Sequence, residues 1–228
     1  MTQAISSERI DIFLPGASSR RTLFLLGGRR PDARWLKDFA SRNADDVWAV
    51  DSGVGACREA GLCPGVLIGD MDSATQSDIE WAIESGASEF RSPRDKDDTD
   101  FQLALELLAK KNRDDTLLVS GCFGGRLDHM FSALYSFASS RSLCMADETE
   151  GVLLVHDSAR AVFKKRPLAI SLLPLSDECA GVSIVGVKWP LDGATLYRNR
   201  PWAVSNETDS DEVLVSCASG LLGFYWVF

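Results

Sequence analysis

The chain has 228 residues, enough for one large domain or two smaller domains that each bury a core. A hydrophobic content of 45% and a charged content of 25% are ordinary for a soluble globular protein. The formal net charge of −9 argues against sequence-independent nucleic-acid binding, which requires a basic surface.

The cysteines and the apolar segments exclude two further classes. Six cysteines are scattered without a Cys-x-x-Cys pair, and only two histidines could join them, so a zinc site is not expected. The start of the chain lacks a positively charged segment followed by a long apolar run, and no apolar segment approaches the roughly 20 residues that span a bilayer. We therefore expect a cytoplasmic protein with reduced thiols and no membrane partner.

The first two predicted strands both end in turns that suit a ligand. Residues 22–26, a threonine followed by four apolar residues, predict a buried strand that stops at the glycines 27–28, where a backbone could approach a ligand closely. The same pattern would also fit a plain strand-to-helix turn. After a predicted helix, residues 47–50 form a second strand, which ends at Asp51 with Gly53 close behind.

Two acidic segments follow. Residues 66–68 predict a third buried strand, so Asp70 and Asp72 emerge at its carboxyl end, where open α/β sheets bind ligands. The second segment precedes a helix predicted over residues 100–111, and its polar side chains lie at the helix N-terminus, which favours anions. These side chains are Asp97, Thr99 and Asp100.

Each acidic segment alone has a plainer interpretation. Asp or Thr before a helix is commonly only a cap, and Asp, Ser and Gly after a strand are ordinary turn residues. Taken together, at least four carboxylates near two element ends would repel one another unless a cation or solvent separated them. Hard oxygen ligands favour Mg²⁺, so the pair of segments predicts a metal and phosphate site.

A glycine-rich turn follows the strand predicted over residues 116–120. Gly124, Gly125 and Arg126 precede a helical run that continues through Phe137, and bare N–H groups, a helix N-terminus and a guanidinium together suit a phosphate. His129 lies in the first turn of that helix, as either a structural residue or an acid–base group.

The pattern of elements divides the chain into two domains. Alternating strands and helices up to about residue 140 predict a mostly parallel α/β sheet over residues 1–145, in which residues 1–20 are an irregular extension. Short strands separated by Pro, Gly, Asn and Asp predict an all-β sandwich or small barrel over residues 146–228.

The ordered motifs resemble the thiamine pyrophosphokinase family from about residue 22 to the end. In the first domain they are Asp51, Gly-Asp-Met-Asp-Ser at 69–73, Asp-x-Thr-Asp at 97–100 and Gly-Gly-Arg-Leu-Asp-His at 124–129. In the second they are the segments 171–176, 186–191 and 205–207. One departure is that Ser52, Gly53 and Gly55 stand where the family usually has a Gly-Gly pair and an Asn.

The resemblance implies an enzyme that transfers the diphosphoryl group of ATP to the hydroxyl of thiamine, giving thiamine diphosphate and AMP with Mg²⁺. It also implies a homodimer whose sites lie between the α/β domain of one subunit and the β domain of the other. Thiamine is an aromatic cation, which needs a π face and polar atoms for its aminopyrimidine edge.

The residues divide into three predicted groups. The catalytic and metal-binding group consists of Asp70, Asp72, Asp97 and Asp100. The ATP-binding group consists of Asp51, Gly53, Thr99, Gly124, Gly125, Arg126 and His129. The resemblance implies that the thiamine-binding group consists of Trp189, Ser205 and Asn206. Without the resemblance, Trp189 would be interpreted as a core residue and the Ser-Asn pair as a turn.

Three other functions remain open at this point. A related diphosphokinase could act on another hydroxymethyl compound, such as a pterin, but the β-domain motifs count against it. Asp70-Met71-Asp72 could be the Asp-x-Asp of a metal-dependent glycosyltransferase, which would leave the glycine-arginine turn unexplained. A non-catalytic thiamine or nucleotide sensor has less need of so many carboxylates.

Overall fold

A computed structural model of the protein describes residues 4–111, 113–136 and 143–228. The described residues form two compact units. The α/β unit comprises residues 20–136 and 146–148, and the β unit comprises residues 4–19, 143–145 and 149–228.

The α/β unit contains five parallel strands and five helices. The strands are β3 (Arg21–Leu25), β4 (Asp46–Val50), β5 (Val66–Gly69), β6 (Ser88–Arg91) and β7 (Thr116–Ser120). The helices are α1 (Ala33–Asn43), α2 (Gly53–Ala60), α3 (Gln76–Glu84), α4 (Asp100–Lys110) and α5 (Leu127–Ser136). The continuation of α5 that the sequence predicts through Phe137 lies outside the described residues.

Burial explains why these segments form strands of a parallel sheet. Every residue of β3 and β7 is buried, and Leu23, Phe24 and Trp48 are completely enclosed. Strands covered on both faces read as continuous apolar runs, which is the pattern of the sequence. The β6 strand is exposed along its whole length, as befits the edge of this part of the sheet.

The order of the parallel strands is β7-β3-β4-β5-β6, which creates a switch point. The chain runs outward from β3 through β4 and β5 to β6 and then returns to place β7 on the other side of β3. Ligands of open α/β sheets bind in the crevice at such a reversal, outside the carboxyl ends of the strands. The turns that follow β3 and β7 are therefore the expected binding location.

The β unit consists of antiparallel strands. One sheet has the order β1-β2-β10-β14-β12-β13, and a second set of strands has the order β11-β15-β9-β8. The strands not yet bounded are β8 (Leu143–Ala146), β9 (Glu150–Val155), β10 (Ser158–Phe163), β11 (Ala169–Pro174), β12 (Glu178–Val185), β13 (Leu191–Tyr197), β14 (Glu212–Ser216) and β15 (Leu222–Val227). The predicted fold class, a mostly parallel α/β domain with an all-β domain, is confirmed.

The start of the chain differs from the prediction of an irregular extension, which is wrong for its described part. Strands β1 (Ile5–Ser6) and β2 (Ile10–Phe13) pair with each other, and β2 pairs with β10 through residues 10–13. Apolar Ile10 and Ile12 face the interior while their neighbours are partly exposed, so the segment is half-buried.

Helix length bears on the predicted absence of a membrane partner. Within the three described ranges, no helix combines the length and the apolar character that crossing a membrane would need.

Candidate functional site

Two glycine turns meet at the switch point of the α/β unit. The Leu26 N–H donates to the Ser120 carbonyl (2.9 Å), the Gly28 N–H to Gly121 (2.7 Å) and the Arg29 N–H to Phe123 (2.7 Å). The backbones are so close that a Cβ on Gly28 would lie 2.6 Å from the Gly121 oxygen. Glycine is therefore required at position 28 for the two backbones to come this close. The sequence pattern alone does not show this contact.

A cleft of about 600 Å³ opens beside these turns. Its volume suits a small-molecule ligand of nucleotide size. The residues predicted for ATP that line it are Asp51, Thr99, Gly124, Gly125, Arg126 and His129, and the predicted metal ligand Asp100 lines it too. Gly53 lies behind the cleft, where a Cβ would be 1.9 Å from the Leu25 carbonyl oxygen, so it lets α2 pack against the end of β3.

Three carboxylates form a cluster next to the cleft. Asp51 follows β4, while Asp70 and Asp72 follow the neighbouring strand β5, and one oxygen of each lies within 4.8 Å of the others. The strand ends are joined by the Asp51 N–H, which donates to the Ile68 carbonyl at 2.8 Å. The parallel sheet thus brings together carboxylates that lie about twenty residues apart in the chain.

Asp51 is the residue common to the cluster and the cleft. Its Oδ1 is buried without a hydrogen-bond partner in the described structure. Burial raises the pKa of Asp51 against the opposing hydrogen bond from the Ser52 backbone, and the nearby carboxylates of Asp100, Asp70 and Asp72 raise it further. An unpartnered oxygen in an acidic, all-oxygen cluster fits a hard divalent cation such as Mg²⁺.

Asp70 and Asp72 are oriented by a tight turn. The Asp72 N–H donates to Asp70 Oδ1 at 3.1 Å, and this bond, with help from Lys96, lowers the pKa of Asp70. Met71 between them is buried with a φ of 63°. Its side chain anchors the turn to the core while the two flanking carboxylates keep access to solvent.

The second acidic segment contributes unequally. Asp100 begins α4, and its Oδ1 accepts from Ser92 Oγ and lies 3.0 Å from Lys96 Nζ. Thr99 is the N-cap of α4 and forms the reciprocal hydrogen bonds of a capping box with Gln102. Its position at the cleft is therefore compatible with both interpretations of this residue, as a helix cap and as an ATP-binding residue. Asp97 is exposed and does not belong to the carboxylate cluster found among the described residues.

The glycine-arginine turn also lines the cleft. Gly124 and Gly125 both adopt left-handed backbone conformations, with φ of 66° and 64°. Arg126 pairs with the exposed carboxylate of Asp128 at 2.5 Å, which in turn accepts from the His129 N–H at 3.0 Å. The Arg126 guanidinium is exposed, so exchange of Asp128 for a phosphate would not require it to leave a buried position.

A second pocket, of about 270 Å³, belongs entirely to the β unit. Trp189 and Trp202, whose residues are 52% and 49% accessible, line it, and Ser171 and Asn206 add polar atoms. The Asn206 amide accepts from the Trp189 N–H (3.2 Å) and donates to the Trp189 carbonyl (2.8 Å), which fixes the backbone that carries this indole.

Ser205 and Trp202 differ from the sequence-based expectation in opposite ways. Ser205 has a φ of 59°, and its N–H donates to Ser171 Oγ at 3.1 Å, but it is not among the residues that line the pocket. Trp202 was not predicted as a site residue. Its only sequence signal is an aromatic side chain four positions before Asn206, in a segment too polar to be core.

Both units match known domains in the order that the chain presents them. Residues 40–145 match the thiamin pyrophosphokinase catalytic domain, and residues 163–222 match the thiamin pyrophosphokinase vitamin B1 binding domain. The chain belongs to the thiamine pyrophosphokinase family.

Relatives of this family agree in sequence and in fold. The chain is 25% identical to thiamine pyrophosphokinase 1 of Oryza sativa over 70% of its own length and 64% of that protein, so it spans less than two thirds of this relative. It is 25% identical to thiamine pyrophosphokinase of Bacillus subtilis over 77% of its length and 85% of that protein. The fold of this chain matches the crystal structure of thiamine pyrophosphokinase from Bacillus subtilis with a TM-score of 0.76 at 20% sequence identity. The match covers 91% of this chain and 99% of the chain in that crystal structure.

The departure from the usual family pattern after Asp51 has a structural counterpart. A Cβ on Gly27 would lie 2.1 Å from the Ser52 hydroxyl oxygen, so Ser52 fills the space that a bare glycine at 27 leaves open. A Cβ on Gly55 would lie 2.6 Å from the Arg30 guanidinium and 3.5 Å from Asp78 Oδ2. The substituted positions therefore preserve close packing between the β3 turn and α2.

Proposed function

We propose that this protein is a thiamine diphosphokinase, which transfers the diphosphoryl group of ATP to the hydroxyl of thiamine and releases AMP and thiamine diphosphate. The observation that carries the proposal is the pairing of the two sites in one chain of this family. The α/β unit has a glycine-lined cleft beside three carboxylates, and the β unit has a pocket with two indoles.

ATP is the proposed ligand of the cleft. Backbone groups of the two glycine turns, the N-terminus of α5 and the guanidinium of Arg126 would bind the phosphates. His129 would lie at the same wall as a binding residue. Because the formal net charge of the chain is −9, these local donors must outweigh an unfavourable overall field.

Mg²⁺ is the proposed metal. Asp70 and Asp72, with Asp51 beside them, would hold it, while Asp100 lies at the cleft wall and Asp97 stays a predicted ligand in the exposed loop. When bound, the metal would neutralise phosphate charge and polarise the β-phosphoryl group. The carboxylates themselves need only stay ionised and fixed, which the hydrogen bond within the Asp70–Asp72 turn favours for Asp70.

Thiamine is the proposed ligand of the indole pocket. Its thiazolium ring is a delocalised cation, which interacts favourably with the faces of Trp189 and Trp202. The amide of Asn206 and the hydroxyl of Ser171 are available for the polar edge of the aminopyrimidine, and Ser205 stays a predicted contact.

Catalysis would come mainly from positioning and charge neutralisation. Attack of an alcohol on the β-phosphorus requires the two substrates in line, and fixing them lowers the entropic part of the barrier. Arg126 and the backbone donors of the glycine turns would stabilise the charge that develops on the transferred group.

We further propose a cytoplasmic homodimer in which the α/β unit of one subunit and the β unit of its partner act on the same pair of substrates.

The deciding experiment measures both products. Purified protein is incubated with ATP, Mg²⁺ and thiamine, and AMP and thiamine diphosphate are separated by chromatography. Equal amounts of both, dependent on thiamine, are expected. Formation of ADP, or AMP that does not depend on thiamine, would contradict the proposal. A parallel reaction with a hydroxymethylpterin tests the related diphosphokinase activity, and thiamine binding without turnover would indicate a sensor.

A further inference from the structure

Lys96 occupies an unusual position for a lysine. Its Nζ lies 3.0 Å from Asp100 Oδ1 and 3.6 Å from Asp70 Oδ2, and it donates to the Pro93 carbonyl at 3.0 Å. Only 14% of its side chain is accessible, whereas Lys110, which pairs with a carboxylate on the surface of α4, is 74% accessible. The ammonium is thus held between the two acidic segments.

The positive charge of Lys96 lies among several negatively charged carboxylates. Asp51, Asp70, Asp72 and Asp100 bring four carboxylates together, and Lys96 compensates part of their charge. A divalent cation bound at Asp70 would stand within a few ångströms of the ammonium, where repulsion between the two is strong. The ammonium and the metal therefore compete for the same carboxylate.

We propose that Lys96 is a resident counter-cation of the carboxylate site, which opposes binding of the free divalent metal and moves to the polyphosphate when metal and nucleotide bind together. This inference rests on the proposed function for the identity of both ligands. Because the phosphates offer Lys96 a new anionic partner, its competition with the metal disappears when the nucleotide is present. Lys96 would then be a positioning residue that couples metal binding to nucleotide binding.

The coupling has a reciprocal signature. If the nucleotide increases metal affinity by a given factor, the metal must increase nucleotide affinity by the same factor. Removing the ammonium should tighten metal binding to the nucleotide-free protein and weaken binding of the metal-free nucleotide. The factor by which one ligand promotes the other should fall accordingly.

The test measures Mn²⁺ binding by titration calorimetry or electron paramagnetic resonance, with and without α,β-methylene-ATP, for the wild type and Lys96→Met. The variant is expected to bind Mn²⁺ about tenfold more tightly without nucleotide and to show a correspondingly smaller effect of the analogue. Lys96→Arg, which retains the charge, should behave like the wild type. Arg94→Met is the matched control, because Arg94 also pairs with a carboxylate of the site but is exposed.

Thermal unfolding provides a second readout. Without metal, Lys96→Met leaves its carboxylates uncompensated, so Mn²⁺ should raise its melting temperature more than that of the wild type. Equal Mn²⁺ affinity and equal coupling in the wild type and Lys96→Met would overturn the role of Lys96 and leave the proposed function intact. A wild type that binds no Mn²⁺, with or without the analogue, would overturn both.

Discussion

Three residues other than glycine adopt a left-handed backbone in the described structure, and each lies in or next to a candidate site. They are Asp51 in the carboxylate cluster, Met71 between the cluster members Asp70 and Asp72, and Ser205 next to Asn206, with φ of 49°, 63° and 59°. This conformation is tolerated by Asp but is unusual for a long side chain such as Met. Burial of Met71 supplies the packing that offsets the strain, so the turn keeps two carboxylates side by side.

At the residue scale, Asp72 is the first test of the metal site. Asp72→Asn removes one negative ligand while preserving shape, so we expect turnover to fall about 10²- to 10³-fold with little change in the free energy of unfolding. Steady-state formation of AMP and thiamine diphosphate measures the first quantity, and denaturant unfolding measures the second.

A control in the other acidic segment isolates this effect. Asp98 is exposed and lies outside the carboxylate cluster, so Asp98→Asn removes the same charge without removing a ligand. It should retain nearly full activity. Near-normal turnover of Asp72→Asn would remove Asp72 from the site.

Trp202 tests the second pocket. Trp202→Ala removes one of two indole faces, so we expect the apparent KM for thiamine to rise about five- to tenfold with a small change in kcat. Thiamine should also quench less of the intrinsic tryptophan fluorescence of this variant. Trp202→Phe, which keeps a π face, should recover most of the affinity.

Charge and location provide the controls for this substitution. When Trp202 is replaced by Ala, the affinity for a neutral thiophene analogue of thiamine should fall much less than the affinity for thiamine itself. A cation–π interaction requires the positively charged ring, which the analogue lacks. Tyr197→Ala removes an exposed aromatic side chain of the same unit that does not line the pocket, so its KM should be unchanged. An unaltered KM for Trp202→Ala would show that the residue is only part of the surface.

At the element scale, the two ends of the parallel sheet have separate roles. The carboxyl ends of β3, β4, β5 and β7 bear the glycine turns and the carboxylates. Near the opposite ends, Arg113 donates to Asp46 (2.9 Å) and Asp115 (2.5 Å), and Thr22 donates to Asp115 (2.6 Å). This network joins the beginnings of three strands and is expected to serve stability.

The pH dependence of stability should reveal this network. Burial alone would raise the pKa of Asp115, but hydrogen bonds from Arg113 and Thr22 outweigh it and lower the pKa. A carboxyl group with a lowered folded-state pKa contributes stability above its unfolded value of about 3.9, and this contribution is lost as pH falls through the folded-state pKa. The stabilisation by Asp115 should therefore be present at neutral pH and fade in acid.

Asp115→Asn should cost about 3 kcal/mol in the free energy of unfolding at pH 7, because the side chain is only 2% accessible and Arg113 loses a charged partner. The difference from the wild type should shrink below about pH 4. Denaturant titrations across this range measure both effects. A penalty that stays constant down to pH 3 would mean that the ionised carboxylate is not responsible.

The sequence predicts the parallel strands well for a physical reason. Strands β3, β4, β5 and β7 are covered on both faces, so each is a short apolar run bounded by polar or glycine residues, and the predicted bounds differ from the observed ones by about one residue. Strand β2 escapes prediction because it alternates buried and exposed residues over only four positions. Its partner β10 lies about 150 residues further along the chain.

Some residues of the candidate sites can likewise be predicted from local sequence, and others cannot. Asp51, Asp70 and Asp72 are predictable because strand ends of a parallel sheet share an edge. The ammonium of Lys96 between two carboxylates and the face of Trp202 beside Asn206 depend on loop conformations, which local sequence does not determine. The sequence pattern therefore predicts which carboxylates meet at the strand ends, whereas Lys96 and Trp202 are found only from tertiary contacts.

At the scale of the whole molecule, the two candidate sites belong to different compact units. The carboxylates and the glycine-lined cleft are built by the α/β unit, and the indole pocket is built by the β unit. Under the proposed function, both must act on one ATP and one thiamine. Substitutions can therefore be placed in one unit without touching the site of the other, which makes the proposed homodimer testable by mixing.

Two defective variants should restore activity when combined. Asp72→Asn disables the α/β unit, and the double variant Trp189→Ala/Trp202→Ala disables the β unit at low thiamine concentration. If each site combines units from two subunits, a mixed dimer contains one site with both defects and one site with neither. After dissociation and reassociation of an equal mixture, we expect about a quarter of the wild-type activity, since half of the dimers are mixed and each has one intact site. Each variant exchanged with itself is the control, and a mixture no more active than the two variants measured apart would contradict sites shared between subunits.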